Sequence, residues 1–455
     1  MREGLFLIAV CLLSFDNVIA GEVLEGAKSV QIVSATEPGS ASTRDWGINE
    51  EKREPIIDFY GYIDARFGMR TSGSTVSDTD ISLGEIRVQL KAKKNVKQVT
   101  INIATDFLFD PVVDRYAINM NNGEGVIDPR LINVEFSPID FIDAKIGRQI
   151  LTWGSGDFVF INDLFAKDWN SFFLGRDVEY LKAPVDAAKV SFFFDALNID
   201  FVYTPRFGAD RFVDGRTVSF FDRENKAFRG RDNPLVFDRP NDWFDDDEIA
   251  ARAYQSFGAL EAAVYYYNGF WKSPAGQDVL DGRSIFPELS VYGASLRGPV
   301  AGGLAWVETG YYDSAAGAST DPLVRNSEVR FLIGFEKEIS HEFTASIQYN
   351  LERKLDYNKY VNALPSGALK DDQNKHLLTV SLTKLMLQQN LVLSAFNFYS
   401  PSGKDGYVRF NFSYKVSDEL RIDGGGNFFY GQEDHTFFSQ LKNNNNIYVG
   451  VRRNF

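Results

Sequence analysis

Only three imidazoles occur in this sequence, His341, His376 and His435. None stands at a motif spacing from a serine, an aspartate or another histidine that would build a nucleophile–base pair or a metal site. G-x-x-x-x-G-K-[ST], G-x-G-x-x-G after a strand, C-x-x-C and H-E-x-x-H are all absent. No enzyme and no cofactor is therefore expected. The side chains available for chemistry are carboxylates and cations. Residues 206–247 hold Arg206, Arg211, Arg216, Arg223, Arg229, Arg231 and Arg239, followed by "NDWFDDDE" with Asp245, Asp246 and Asp247. Guanidinium groups can grip a carboxylate or phosphate with two parallel hydrogen bonds. One reading is an inward loop that binds an anionic solute. The favoured reading is an external loop whose charges are solvated or paired with one another. The aspartate run lacks the spaced ligands and glycine of an EF-hand, so no metal site is assigned.

A second set of charges is scattered at every other position of apolar stretches: Arg66, Glu85, Arg87, Lys91, Asp106, Glu135, Glu328, Arg330, Glu352 and Arg409. Their position is set by a repeating element. In "EVRFLIGFEK", Val329, Phe331, Ile333 and Phe335 share one face and Glu328, Arg330, Gly334 and Glu336 the other. "EFTASIQYNLE" and "YVRFNFSYK" alternate in the same way, as do "VTINIATDFLF" and "EIRVQLKAK". From residue 56 to 455, runs of about ten alternating residues are separated by breaks. The breaks alternate in length. Short turns at Asn95-Val96, Ser256 to Gly258, Gly298 to Gly302, Ile339 to Glu342, Leu387 to Gln389 and Ser417-Asp418 interleave with long stretches at 71–80, 154–176, 206–247, 272–286, 314–324, 355–374 and 431–446. That pattern belongs to a transmembrane antiparallel β-barrel. A soluble sandwich also alternates, but not with one strand length over some 400 residues.

About eighteen strands are expected. Their spans are 56–70, 81–94, 97–109, 128–137, 143–153, 187–195, 198–205, 248–257, 259–271, 287–297, 303–313, 325–337, 342–354, 375–387, 390–400, 406–416, 419–430 and 446–455. The tenth, eleventh and fifteenth keep phase poorly. Aromatic clusters near strand ends, "FYGY", "YYYNGFW", "GYYD", "FNFY" and "NFFY", suit two interfacial girdles. The charged set then faces inward and forms a polar, mixed-charge lumen, too wide at this strand number to be filled by side chains alone. The segment 154–176 is too apolar for a solvated loop. It is expected to fold into the barrel and narrow it, or otherwise to pack on the rim.

The N-terminal stretch "MREGLFLIAVCLLSFDNVIAGEV" reads as a secretory signal peptide, 1–20, cleaved after Ala20. Val10 before Cys11 argues against lipidation. Residues 21–54 form a polar periplasmic lead-in, and 55–455 the barrel. The lead-in is too short for the plug domain of an energised uptake receptor. No run approaches the length of a transmembrane helix. The formal net charge of -14 speaks against a general nucleic-acid binder.

Two resemblances add to this reading. "KIGRQILTWGSGDF", followed by "GRDVEYLKAPVDAAKVSFFFDALNIDFVYTPRF", resembles a family of bacterial outer-membrane porins with a G-R-Q-x-x-x-W-G segment. Gly147, Arg148, Gln149, Trp153 and Gly154 match it, with Pro184 and the Asp195 to Asn198 turn as its sequel. The match covers residues 140–207 and is broadly similar to eighteen-stranded substrate-preferring and alginate-export type porins. It implies a channel and names no cargo. An arginine facing mid-bilayer lipid costs about 2–4 kcal/mol, so Arg148 is expected to face the lumen, leaving Lys145 near a membrane edge, unless a bulge shifts the phase; Trp153 then suits the outer aromatic girdle. The ending "NNNNIYVGVRRNF" resembles the signal read by the barrel-assembly machinery: Phe455, Val451, Val449 and Ile447 match, and Arg453 departs.

The expected function is passive diffusion of small hydrophilic solutes. The alternative is a barrel that scaffolds or sheathes another envelope component. Expected partners are outer-membrane lipid and lipopolysaccharide, the assembly machinery and a small polar solute. Monomer and homotrimer fit the sequence equally.

Overall fold

The computed structural model describes residues 58–71, 79–112, 118–119, 124–223, 225–315 and 317–455. The expected signal peptide and lead-in lie outside the described residues. Eighteen strands form one closed antiparallel sheet, each paired to the next in sequence. They are β1 Asp58–Arg70, β2 Ile81–Val96, β3 Val99–Phe109, β4 Ile127–Ile139, β5 Ile142–Gln149, β6 Val185–Phe193, β7 Asn198–Thr204, β8 Glu248–Phe257 and β9 Leu260–Phe270. The second half is β10 Glu288–Val300, β11 Gly303–Ser314, β12 Glu328–Ser340, β13 Phe343–Lys354, β14 Asn374–Met386, β15 Leu391–Ser400, β16 Asp405–Lys415, β17 Leu420–Gly431 and β18 Asn446–Asn454. No helix among the described residues is long and apolar enough to cross a membrane; strands do the crossing.

The seam gives the last apolar run a partner strand. β18 pairs with β1 from Tyr62↔Asn454 to Arg70↔Asn446. Gly61 and Phe455 exchange both backbone hydrogen bonds at 3.0 Å. With the seam closed, no sheet edge is left to face lipid, where unpaired N–H and C=O groups cost several kcal/mol each. Ile447, Val449 and Phe455 point outward and are exposed.

Alternation sets the two faces. On β2, Ile86 and Leu90 are exposed while Glu85, Arg87 and Gln89, on the opposite face, are buried. An outward belt of Ile101, Ile103, Phe107, Ile333, Ile347 and Phe410 continues it around the wall. This is the inverse of a soluble protein, and it gives a membrane-spanning barrel its apolar exterior.

Short turns line one rim and long loops the other. The first turn falls at Lys97–Gln98, two residues beyond the expected Asn95-Val96, because β2 runs on to Val96. Lys97 adopts φ 54° there. The largest departure is β5, which leaves the wall after Gln149 and not at residue 153. The whole of 150–184 then departs from the wall, a longer segment than the expected 154–176.

Candidate functional site: the lumen and its insert

The exit from β5 is built by five neighbouring residues. Gly147 has φ +118°, and a Cβ there would lie 2.3 Å from the Ile132 carbonyl oxygen, so only glycine fits. Arg148 holds Asp186 of β6 bidentately, at 2.8 and 2.7 Å. The buried Gln149 amide donates to Ala187 O at 2.8 Å. Trp153 packs edge-on to Phe165, ring centroids 4.8 Å apart. Gly154, at φ +84°, brings the backbone close to Glu308. The G-R-Q-x-x-x-W-G segment is thus the hinge by which the chain turns off the wall.

The insert folds into the barrel because of its own composition. "DWNSFFLG" carries a helix start and stop. Asp168 accepts from Ser171 N at 2.8 Å, and Gly175 ends the turn in the left-handed region at φ 88°. Between them α1, Trp169–Leu174, buries Phe172, Phe173 and Leu174. These meet inward aromatics of the wall: Phe172 and Phe173 against Tyr407, and Phe173 against Phe429 at 5.3 Å. Phe158 packs on Phe396 at 4.8 Å.

Polar anchors fix the insert on opposite sides of the lumen. On β11, the Glu308 carboxylate accepts from the backbone of Ser155, from Gly156 N at 3.0 Å, and from both nitrogens of Asn162. On β13, Gln348 accepts from Asp157 N at 2.9 Å and donates back to Asp157 O at 3.0 Å. On the far side, Tyr180 donates to Asp106 at 2.7 Å and its hydroxyl touches that of Tyr62. The Arg87 guanidinium lies 4.0 Å over its ring. Arg176 pairs with Glu85 at 2.6 Å. Asp177 engages Arg421 and Arg452. Arg452 also holds Asp64 at 2.7 Å and Glu179 at 2.8 Å. Burial raises the Asp177 carboxyl, but Arg452 and Arg421 outweigh it and hold the group below the usual carboxylate range.

The sequence-derived charged set is distributed over this frame. Arg66, Glu85, Arg87, Asp106, Glu328 and Arg409 are each 5% exposed or less. Arg66 pairs with Asp64 at 2.7 Å and donates to Gly175 O at 3.2 Å. Arg87 bridges Glu85 and Asp106, and Arg409 donates to the carbonyls of Phe172 and Arg176. Arg330 bonds Glu328, lies 3.7 Å from Glu352 and sits 3.9 Å over the Tyr312 ring. Nearer the short-turn rim, Lys91 lies over Tyr60 and Tyr62, and Glu135 pairs with Lys145 at 2.7 Å with both side chains partly open. Around the insert, then, these charges are enclosed and paired, and do not edge an unobstructed bore.

Arg148 and Trp153 differ from expectation. The ladder sets Arg148 opposite Ile132 and Asp186, on the register of exposed Ile146. It lines a rim pocket with Arg206, Arg211, Arg239 and Asp214 instead of the central lumen. Pairing with Asp186 and cover from the following loop account for its placement. Trp153 is buried beside Tyr265, not in an outer girdle. The aromatic clusters split by phase: Tyr266, Tyr311, Tyr399 and Tyr430 face out, while Tyr265, Tyr267, Tyr312, Phe396, Phe398 and Phe429 face the insert. Sequence reasoning missed Glu308, Gln348, Tyr62, Tyr180 and Arg452. The signal for Glu308 was its shared face with Trp306 and Tyr312 on β11.

The histidines stand apart from this site. His376 on β14 meets the Tyr349 hydroxyl through Nδ1 at 2.8 Å. Among the described residues no cluster of three metal-ligating side chains occurs.

No family model matches the chain, and no curated protein matches it. Solved structures do. OccK11 (OpdR) of Pseudomonas aeruginosa aligns over 88% of this chain and 96% of its own, with 7% identity and a TM-score of 0.52. OccAB1 of Acinetobacter baumannii aligns over 90% of this chain and 99% of its own, with 10% identity and a TM-score of 0.50. Both are outer-membrane porins. At these identities the likeness concerns the fold: this chain has the closed 18-strand barrel of that class.

Proposed function

We propose that the protein is a bacterial outer-membrane porin, passing small hydrophilic solutes by diffusion through a barrel that residues 150–184 narrow. The observation that carries this reading is the insert itself. It is tied to β1, β2, β3, β11, β13, β16 and β18 by named side chains, so it acts as a built constriction and not a stray loop. Below it, Lys91, Glu135 and Lys145, joined by Lys189 and Glu261, supply both signs of charge to an aqueous vestibule. The G-R-Q-x-x-x-W-G resemblance supports the same assignment, since its residues make the hinge. Phe455, Val451 and Val449 serve as the assembly signal. Phe455→Ala should lower the yield of heat-modifiable barrel in cells without altering refolding in detergent.

The scaffold reading keeps one supporting observation. The charges around the insert are enclosed, as a barrel with no need to conduct could also have them. Planar-bilayer recording of the refolded barrel across a salt gradient separates the two. Ohmic steps support the porin. Silence together with a stoichiometric co-purifying partner supports the scaffold.

A further inference from the structure

Side chains at the long-loop rim divide by direction. Loop 205–247 reaches across the mouth. Its Arg231 donates to Val112 O beyond β3 at 2.7 Å, its Ser219 N to Asn444 before β18 at 2.9 Å, and its Arg223 pairs with Asp371 between β13 and β14 at 2.6 Å. A separate set at the same rim faces away from the lumen. On β13, Tyr349, Leu351 and Arg353 alternate with the lumen-facing Asn350, Glu352 and Lys354. On β14, His376 keeps phase with Leu378, Val380 and Leu382, which are exposed on the outer wall.

That outer row crosses the apolar belt from edge to edge. Lys384 marks its short-turn end and donates to His341 O at 2.7 Å. Asn374, opposite Arg353, marks the other end. Asn374 to Lys384 measures roughly 33 Å along the strand, or about 25 Å along the membrane normal at the usual tilt, which is the height of an outer-membrane apolar band. Long loops face the cell exterior, so Arg353 and His376 sit where hydrocarbon gives way to the headgroups of the outer leaflet. Arg353 is exposed, and its Nη1 donates to Asn374 Oδ1 at 3.3 Å. His376 is held in place. The Tyr349 hydroxyl meets its Nδ1 at 2.8 Å, the two rings stack with centroids 6.0 Å apart, and its backbone N–H donates to Ser402 Oγ at 3.0 Å. With the hydroxyl donating to Nδ1, the imidazole carries its own proton on Nε2, where it can donate to an oxyanion. The turn that holds Ser402 also carries exposed Lys404, and exposed Tyr399 stands beside Leu378. Asp356, three residues beyond Arg353, pairs with Lys359 at 3.2 Å. Elsewhere the outer edge differs. Glu288 on β10 and Asp313 on β11 are exposed in phase with outward Tyr292 and Tyr311. Arg148, also on an outward register, is held by Asp186.

We propose that Arg353 and His376, with Lys404 beside them, bind a phosphate group of an outer-leaflet phosphoglycolipid of the lipid A type, whose acyl chains lie down the Leu378, Val380 and Leu382 row. The guanidinium supplies a planar, charged grip on the phosphate oxygens. The imidazole adds a donor whose direction Tyr349 fixes. Tyr399 places an amphipathic ring at the same level, suited to the sugar–acyl boundary. Two features commit the site to a lipid. The cations stand directly above an apolar face of full belt height, and the carboxylates of β10 and β11 make the neighbouring sector of the same edge repel phosphate. The site lies outside the lumen and does not depend on conduction through it.

The test is native mass spectrometry of the refolded mature protein in detergent, with diphosphoryl lipid A as the probe. A bound copy should survive activation that strips phosphatidylethanolamine from the wild type. Arg353→Ala and His376→Ala should each lower the bound fraction several-fold. Lys384→Ala, at the opposite edge of the same row, should leave it unchanged. His376→Gln, which keeps a donor, should retain more lipid than His376→Ala. Dephosphorylated lipid A should bind the wild type several-fold less than the diphosphoryl form, a comparison that needs no variant to fold. Equal binding of the two lipid forms, or equal binding by the wild type and both alanine variants, would overturn the phosphate site. Displacement of the lipid by an equal concentration of inorganic phosphate would mark a site for the free anion and overturn the lipid assignment. Conductance of the alanine variants should match that of the wild type, so this site and the porin reading fail separately.

Discussion

Glu308 accepts four hydrogen bonds from a segment whose residues lie some 150 positions earlier in the chain. Removing that carboxylate strips the backbone N–H groups of Ser155, Gly156 and Asn162 of their partner, and the buried Asn162 alone loses about 1–3 kcal/mol. Glu308→Ala should therefore free the 154–163 stretch. Limited proteolysis should cut there in the variant and not in the wild type, and single-channel steps should be larger and noisier. The charge on either side of Arg148 gives a second residue-level expectation. Lys145→Glu should move the reversal potential toward cations, because Lys145 is partly open beside Glu135. Arg148→Glu should leave it nearly unchanged, because its partner is Asp186 at the rim. Equal shifts from both would place Arg148 on the solute path. The sign and spacing of these charges were readable from alternation. The rim position of Arg148 was not, because the positive φ of Gly147 and the loop above Asp186 are tertiary facts.

At the scale of elements, seventeen of the expected strands keep close to their spans, and the eighteenth is cut short. β5 was read through Trp153 because "KIGRQILTW" alternates as well as any strand. The insert then explains why the eleventh and fifteenth strands keep phase poorly. β11 turns Trp306 and Tyr312 inward, and β15 does the same with Phe396 and Phe398. Aromatics on both faces blur a pattern that assumes a wet interior. The junction after α1 is equally specific. A Cβ on Gly175 would lie 2.1 Å from the Tyr448 ring, on a backbone already at φ +88°. Gly175→Ala should cost at least about 1–2 kcal/mol from the left-handed conformation alone. It should appear as earlier thermal release of the insert, followed by proteolysis, with the barrel itself intact.

The insert also has a defined response to acid. The folded value of Asp177 lies below its unfolded one, so its contribution is complete above about pH 4 and is lost only as pH falls through the depressed folded value. Asp157 in the same segment is shifted upward by burial, against weaker opposition from Ser346 and Arg297. Its effect is opposite in sign: it costs stability once pH rises through its raised folded value. Protease resistance of the α1 end should thus be unchanged between pH 8 and 5. Loss of protection at that end by pH 5 would mean that the arginines do not hold Asp177 as described.

Across the whole molecule, two loops do what no single strand does. Residues 150–184 lie against the inner wall and 205–247 across the mouth, while the seam at Gly61 and Phe455 keeps the sheet closed around them. A net charge of -14 distributed this way carries no simple selectivity, because the enclosed carboxylates of the lumen are matched by arginines. The barrel was legible in the sequence because lipid enforces one rule at every outward position. The contents of its interior were not, because an insert can be met by a carboxylate, an arginine or a tyrosine with equal success. The central claim is a conducting barrel narrowed by that insert. Single-channel recording of the refolded wild type beside Glu308→Ala tests it most directly. Small ohmic steps in the wild type and larger ones in the variant are expected; a correctly folded barrel that passes no current in either form would contradict it.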